Sequence, residues 1–243
     1  MFGKLECPEP GIYPGVPNRE YRSWNAPSYS LLSKVASRDY SMAHVKGMME
    51  RGSKSTAAMR AGSVFHAALL SPEELDNWRL LPEGLKVRRG KKWDELREAN
   101  PEVNWMTPKE HEDTFGSVAG MVGAVLANAT CAKILHGAQC EVSVVADLTF
   151  RGPMGDMTVR VKSRLDVWNE RARIIADPKK ALSAEPNTFG RNAWNFGYYI
   201  QSALYTDVIA SVTGLDDILF YFIVVEEQPP HVVSIFNGHD TTQ

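Results

Sequence analysis

The run Thr158-Val-Arg-Val-Lys-Ser-Arg-Leu-Asp-Val-Trp168, followed shortly by Arg173-Ile-Ile-Ala-Asp-Pro-Lys179, decides the fold. Its first part alternates apolar and polar residues, the pattern of a strand with one buried face; Arg173–Asp177 is a short apolar run, the pattern of a buried strand. Upstream, Glu141-Val-Ser-Val-Val-Ala-Asp-Leu-Thr-Phe150 is rich in β-branched residues, and Arg151-Gly-Pro-Met-Gly155 supplies a turn between it and the next strand. Residues 141–177 therefore read as an antiparallel three-stranded meander.

Outward from the meander, a helix is predicted over Asn192 to Thr213, closed by Gly214. Ile218–Val225 and His231–Phe236 read as strands joined through Glu226-Glu-Gln-Pro-Pro230. Toward the N-terminus, Pro108 to Leu135 reads as one long helix with Val118, Val122, Val125 and Leu126 on one face. Residues 81–108 read as a charged loop. Helical spacing marks 56–70, stopped at Ser71-Pro72, and 41–51; Ser28 or Ser30 caps a short helix ending near Ala36. Residues 1–30, rich in Pro, Gly and Tyr, read as irregular. The fold class is α/β: a mixed central β-sheet flanked by helices, with a helical and irregular N-terminal region. The expected organisation is a single domain over 1–243, mainly helical through 135, with the sheet and crossover helix in 136–243.

The 243 residues carry a net charge of −2, so no global basic field points to a nucleic-acid partner; any such contact rests on local patches. Three cysteines without a C-x-x-C pair, Cys7, Cys131 and Cys140, argue against a zinc site or disulfide framework and suit a reducing, cytoplasmic location. The N-terminal stretch has no apolar signal-like run, and the uncharged segment 116–132 is too rich in Gly, Ala, Ser and Asn for a good membrane span.

Asp166 and Asp177 fall at the ends of neighbouring predicted strands, and Lys179 lies two residues past Asp177, on the same strand face. An antiparallel neighbour brings Asp166 beside them. Two carboxylates on a sheet surface make a hard oxygen site suited to Mg²⁺ or Mn²⁺, and a lysine beside them can stabilise charge developing on a phosphodiester. The same three residues also fit an ordinary strand-end surface. His66, in Ala61-Gly-Ser-Val-Phe-His-Ala-Ala-Leu-Leu70, fits either a satisfied core histidine or a ligand. Gln201 and Tyr205, spaced i and i+4, share a helix face and fit a boundary pair equally well. The cluster Lys86, Arg88, Arg89, Lys91 and Lys92, just before Trp93, fits either a solvated loop or a phosphate-contacting patch with a stacking aromatic. Glu110 to Asp113 reads as the exposed first turn of a helix.

In this order the motifs resemble the RecE-type exonucleases of phages and prophages, the exodeoxyribonuclease VIII family in the PD-(D/E)XK nuclease superfamily. The resemblance rests on Gly11-Ile-Tyr-Pro-Gly-Val-Pro-Asn-Arg-Glu-Tyr21, Gly62-Ser-Val-Phe-His66, Lys162-Ser-Arg-Leu-Asp166, Ile175-Ala-Asp-Pro-Lys179 and Tyr199-Ile-Gln-Ser-Ala-Leu-Tyr205. It implies a metal-dependent exonuclease that degrades linear double-stranded DNA from 5′ ends for recombination by annealing. It implies a homo-oligomeric ring on the DNA end and a single-strand annealing protein as partner. By the same resemblance His66, Asp166, Asp177 and the main-chain carbonyl of Pro178 hold the metal. Lys179 positions the attacking water, and Gln201 and Tyr205 hold the lysine or the scissile phosphate. Glu141 fits the acidic cluster or a plain strand edge. Two features depart from the family: Pro178-Lys179-Lys180-Ala181 stands where threonines usually follow the lysine, and the chain ends at Gln243 where a closing helix is expected. The competing readings are another PD-(D/E)XK nuclease, Cas4-like or restriction-type, and a catalytically silent DNA-end-binding component. The scattered cysteines speak against an iron–sulfur cluster of the Cas4 kind.

Overall fold

The computed structural model describes residues 5–37, 39–51, 56–153 and 155–239, with the backbone alone for 49–51. In chain order the elements are β1 (Gly11–Tyr13), α1 (Asn18–Ser23), α2 (Tyr29–Ala36), α3 (Met42–Arg51), α4 (Ala57–Leu70), a 3-10 turn (Pro72–Asn77), β2 (Trp78–Leu80), α5 (Lys91–Ala99), β3 (Asn104–Met106), α6 (Pro108–Ala127), α7 (Ala129–Leu135), β4 (Gln139–Gly152), β5 (Gly155–Asn169), β6 (Ile174–Ala181), α8 (Pro186–Phe196), α9 (Tyr198–Thr213), β7 (Leu219–Glu226) and β8 (Val233–Asn237).

Six strands form one mixed sheet in the order β1-β4-β5-β6-β7-β8, and β2 pairs with β3 in a separate ribbon. Strands β4, β5 and β6 are the predicted meander, antiparallel throughout. The β6–β7 pair is parallel, because the chain crosses over through α8 and α9 before returning. Helices cover both faces. Val142, Val144, Val161, Leu165, Phe220 and Phe222 pack under α8 and α9, while Val167, Ala176, Ile223 and Val225 pack against α4, α6 and α7. That double burial is why β7, Leu-Phe-Tyr-Phe-Ile-Val-Val-Glu, reads as a continuous apolar run rather than an alternating one. Phe222 is fully buried, so its loss to alanine costs about 3–5 kcal/mol.

Four expectations about the elements are corrected. The segment before residue 30 is not irregular: β1 adds an edge strand to β4, and α1 follows it. Lys162 ties this segment down, its Nζ donating to the carbonyls of Tyr21 and Trp24 at 2.9 and 2.7 Å. The stretch 81–108 holds α5 and β3, hidden from periodicity by their shortness and charge. The long helix breaks at Asn128, whose side chain caps α7, and α6 and α7 meet at 87°. The crossover helix is two helices, because Gly197 takes φ 70° and ends α8 before α9 begins. Among the described residues no single helix is long and apolar enough to cross a membrane.

Candidate active site

β5 and β6 are paired only over three positions, ending at Val167↔Ala176, whereas β6 continues beside β7 to Ala181↔Glu226. Asp166 and Asp177 are the first residues beyond that last pair, so they face each other across the opening where the two strands part. Neither carboxylate is at a strand end, as the sequence reading had it; both lie inside their strands, at the splay.

The neighbouring strand adds a third carboxylate. Pairs Cys140↔Val167 and Val142↔Leu165 set Glu141 opposite Asp166. Glu141 has φ 54°, uncommon for a residue with a Cβ. Here the strands change face: Val142 and Leu165 belong to the core under α9, whereas Cys140 and Val167 pack toward α4 and α7. The distortion turns Glu141 and Asp166 into the opening. From the opposite layer, α4 sends in His66, whose Nδ1 lies 3.4 Å from Asp166 Oδ2. Donor atoms of His66, Glu141 and Asp166 fall within 4.8 Å of one another. Arg164, two residues before Asp166 on the same strand, grips Glu141 Oε2 through its Nε at 2.6 Å and reaches Ser143 Oγ at 3.0 Å.

Asp177 is 2% exposed and is held from two sides. Gln201 Nε2 donates to its Oδ1 at 2.6 Å, and Lys179 Nζ forms an ion pair with Oδ2. Lys179 also lies 4.7 Å over the ring of Tyr198. Gln201 therefore orients the aspartate, and Tyr205, one turn further on, packs against the Tyr29 ring inside the core. Pro178 lies within β6 without interrupting it. The Arg173 and Ala181 carbonyls accept from the Leu219 and Glu227 amides on the β7 side, so the even-numbered Pro178 turns its backbone to the open side, away from β7. A missing N–H costs nothing where β5 has already departed. Lys180, by contrast, points away from the site, its Nζ bonding Glu227 at 2.7 Å.

The electrostatics are those of a crowded anionic site. Burial, then the Asp177 and Glu141 charges, push the Asp166 carboxyl well above the usual carboxylate range. Burial lowers the His66 pKa and keeps its imidazole neutral near pH 7. Burial would also lower Lys179, but the Asp177 charge, followed by Tyr198 and Asp166, outweighs it and leaves the lysine firmly protonated. In this setting Lys179 is a fixed cation, not a base.

His66, Glu141 and Asp166 converge, and the buried Asp177 lies beside them with its Oδ2 paired to Lys179. Such a donor set fits a hard divalent cation held by His66, Glu141 and Asp166; Asp177, expected as a holder, lies outside that 4.8 Å group and is engaged by Gln201 and Lys179. The imidazole makes Mn²⁺ as suitable as Mg²⁺. A cation bound there would polarise a phosphoryl oxygen and lower the pKa of a coordinated water.

The basic run is divided by the fold. Lys86, Arg89, Lys91 and Lys92 are exposed, the last two opening α5. Arg88 turns inward, its Nη1 donating to the Trp105 carbonyl at 2.8 Å and its Nη2 to Glu110 at 2.6 Å. Glu110 also holds Arg60 and closes a capping box with Thr107 at the start of α6, so it is not the exposed first-turn glutamate expected. Tyr198 and Arg164 were not anticipated. Each carried a positional signal: Tyr198 precedes Gln201 by three residues on one helix, and Arg164 precedes Asp166 by two on one strand.

A sheet splayed at two facing aspartates, with a lysine two residues on and helices on both faces, defines the PD-(D/E)XK nuclease architecture. The chain belongs to the family described as a PDDEXK-like domain of unknown function (DUF3799), which it matches over residues 28–242. A crystal structure of a provisionally named exonuclease from Eubacterium rectale shares the fold at TM-score 0.55 and 19% identity, over 87% of this chain and 72% of that one. A second solved structure, SSO0001, aligns at TM-score 0.28 and 13% identity over 53% of this chain and 59% of that one, too distant to inform the fold. The chain matches no curated protein.

Proposed function

We propose that this protein is a divalent-metal-dependent exodeoxyribonuclease of the RecE type, using Mg²⁺ or Mn²⁺ to shorten linear duplex DNA in the 5′ to 3′ direction. The observation that carries the reading is the facing pair Asp166 and Asp177 at the strand splay, with Lys179 on the Asp177 face and His66 closing the site. The exonuclease name of the Eubacterium rectale neighbour supports the same choice.

In this reading Gln201 fixes the Asp177 carboxylate, and Lys179 presents its charge to the phosphate as negative charge builds in the transition state. His66 and Asp166 define the opposite wall. The single strands left behind are substrates for an annealing protein, in the cytoplasm, with the nuclease assembled as a homo-oligomeric ring around the DNA end. The whole chain acts as one nuclease domain.

The test is digestion of linear duplexes labelled at either end, with closed circular DNA as control. Metal-dependent loss of the 5′ label first, with circles spared, is the expected result. Cutting of closed circles would make the protein an endonuclease, and end binding without any cutting would make it a silent end-binding component.

A further inference from the structure

The elbow between α8 and α9 presents aromatic surface to solvent beside the site. Trp194 is 62% exposed and Phe196 61% exposed, although most large apolar side chains of the sheet and its helices are buried. Neither ring is loose. Trp194 stacks on Tyr199 with centroids 5.1 Å apart and planes 22° from parallel, which leaves its other face open. Phe196 lies 5.7 Å from the Tyr198 ring, its carbonyl taken by the Tyr29 hydroxyl at 2.8 Å. Tyr198 is the ring under Lys179. Two ring contacts thus connect the Lys179 ammonium to the exposed Phe196, a span of a few stacked nucleotides at about 3.4 Å each. On the same outer face of α8, the exposed Arg191 precedes Trp194 by three residues, its Nη2 donating back to Thr188 Oγ1 at 3.4 Å.

We propose that Trp194 and Phe196 form a stacking surface for unpaired bases of the strand whose phosphate reaches Asp166, Asp177 and Lys179. The proposal rests on the nuclease reading above and specifies how that site holds its substrate. An open aromatic face prefixed by a stacked neighbour suits a base, since every base has a π-face and little side-chain entropy is lost on contact. A folded protein partner would need a larger continuous patch, and here the apolar rings alternate with Arg191, Asn192 and Asn195. The Lys179–Tyr198–Phe196 contacts select the strand being cut as the occupant, and Trp194, stacked on the next residue, Tyr199, extends that surface.

The test measures binding of fluorescent oligo(dT) of about ten nucleotides, and of an abasic strand of equal length, by anisotropy with Ca²⁺ as the cation. Trp194→Ala should bind oligo(dT) about tenfold more weakly, the decade expected for one lost base stack, while its affinity for the abasic strand stays at the wild-type value. Phe196→Ala should act in the same direction, and Trp194→Phe should restore most of the affinity. Because both side chains are largely exposed, truncation opens no core cavity, and thermal melting confirms that each variant is folded. Equal losses on both strands, no loss on oligo(dT), a wild type that binds neither strand, or a change of oligomeric state in place of a binding change would each overturn the proposal. Cleavage of end-labelled duplex by the wild type, run in parallel, reports on the nuclease reading separately. An active wild type whose Trp194→Ala variant binds oligo(dT) normally would remove the stacking surface alone.

Discussion

At the scale of single residues, Asp177 and Lys179 share a strand face but stand in different settings, and the proposed function gives them different roles. Lys179 is a permanent cation held between Asp177 and the Tyr198 ring, so its removal should lower turnover while leaving metal binding in place. We expect Lys179→Ala to lose about 2.7–4 kcal/mol of transition-state stabilisation, read as turnover at saturating DNA and metal. Normal turnover would transfer the role elsewhere, but Lys180 is already engaged by Glu227. His66 makes the sharper distinction, because it can be a ligand or a packed core residue. His66→Ala should weaken Mn²⁺ binding in a calorimetric titration with only a small change in melting temperature; a large drop in melting temperature with unchanged Mn²⁺ affinity would make it structural. The sequence carried much of this site: the D-x(10)-D-x-K spacing implies the strand relation that the structure contains. It left Glu141 between the acidic cluster and a plain strand edge, because a positive φ in mid-strand leaves no periodic trace to decide between them.

At the scale of elements, the errors of sequence reading all fall where a side chain or a backbone angle overrides periodicity. Asn128 caps a new helix inside an apolar run, and Gly197 breaks a helix whose pattern continues through it. That second break matters for the site, because α9 restarts with Tyr198 and carries Gln201 to Asp177. The α4–α6 junction is joined electrostatically through Glu110. Burial would raise its carboxyl, but hydrogen bonds from Arg88, the Thr107 amide and Arg60 hold it at about 2. A depressed carboxyl contributes stability above its unfolded pKa near 4.5, and that stability is lost as pH falls toward 2. Glu110→Gln should therefore melt at a lower temperature at pH 7 and lose less than wild type between pH 4.5 and 2; parallel acid limbs would exclude the network. The same element reshapes the expectation for the basic run. Neutralising Lys86, Arg89, Lys91 and Lys92 should flatten the salt dependence of DNA binding, one unit of slope for about each lost phosphate contact. Arg88→Ala should instead cost stability. An unchanged slope in the fourfold variant would make the run a solvated surface.

At the scale of the whole molecule, fold class was legible because three strands, a crossover and two more strands leave few ways to close a sheet with helices on both faces. The edge strand β1 was not, since three residues carry no usable alternation; the meander it joins has to exist before it can be recognised. β5 and β6 separate after three pairs, and the opening gathers His66, Glu141 and Asp166 with Asp177 beside them. Such crowding is expensive without a cation, so the central claim is that this opening is a metal-dependent phosphodiester-cleaving site. The most direct measurement is the rate of linear-duplex cleavage against Mn²⁺ concentration for wild type and Asp177→Asn. The account predicts no cleavage in EDTA, saturable activation of wild type, and a variant curve displaced to higher Mn²⁺ with partial recovery at its plateau. Undiminished cleavage in EDTA, or superimposable curves for the two proteins, would contradict it.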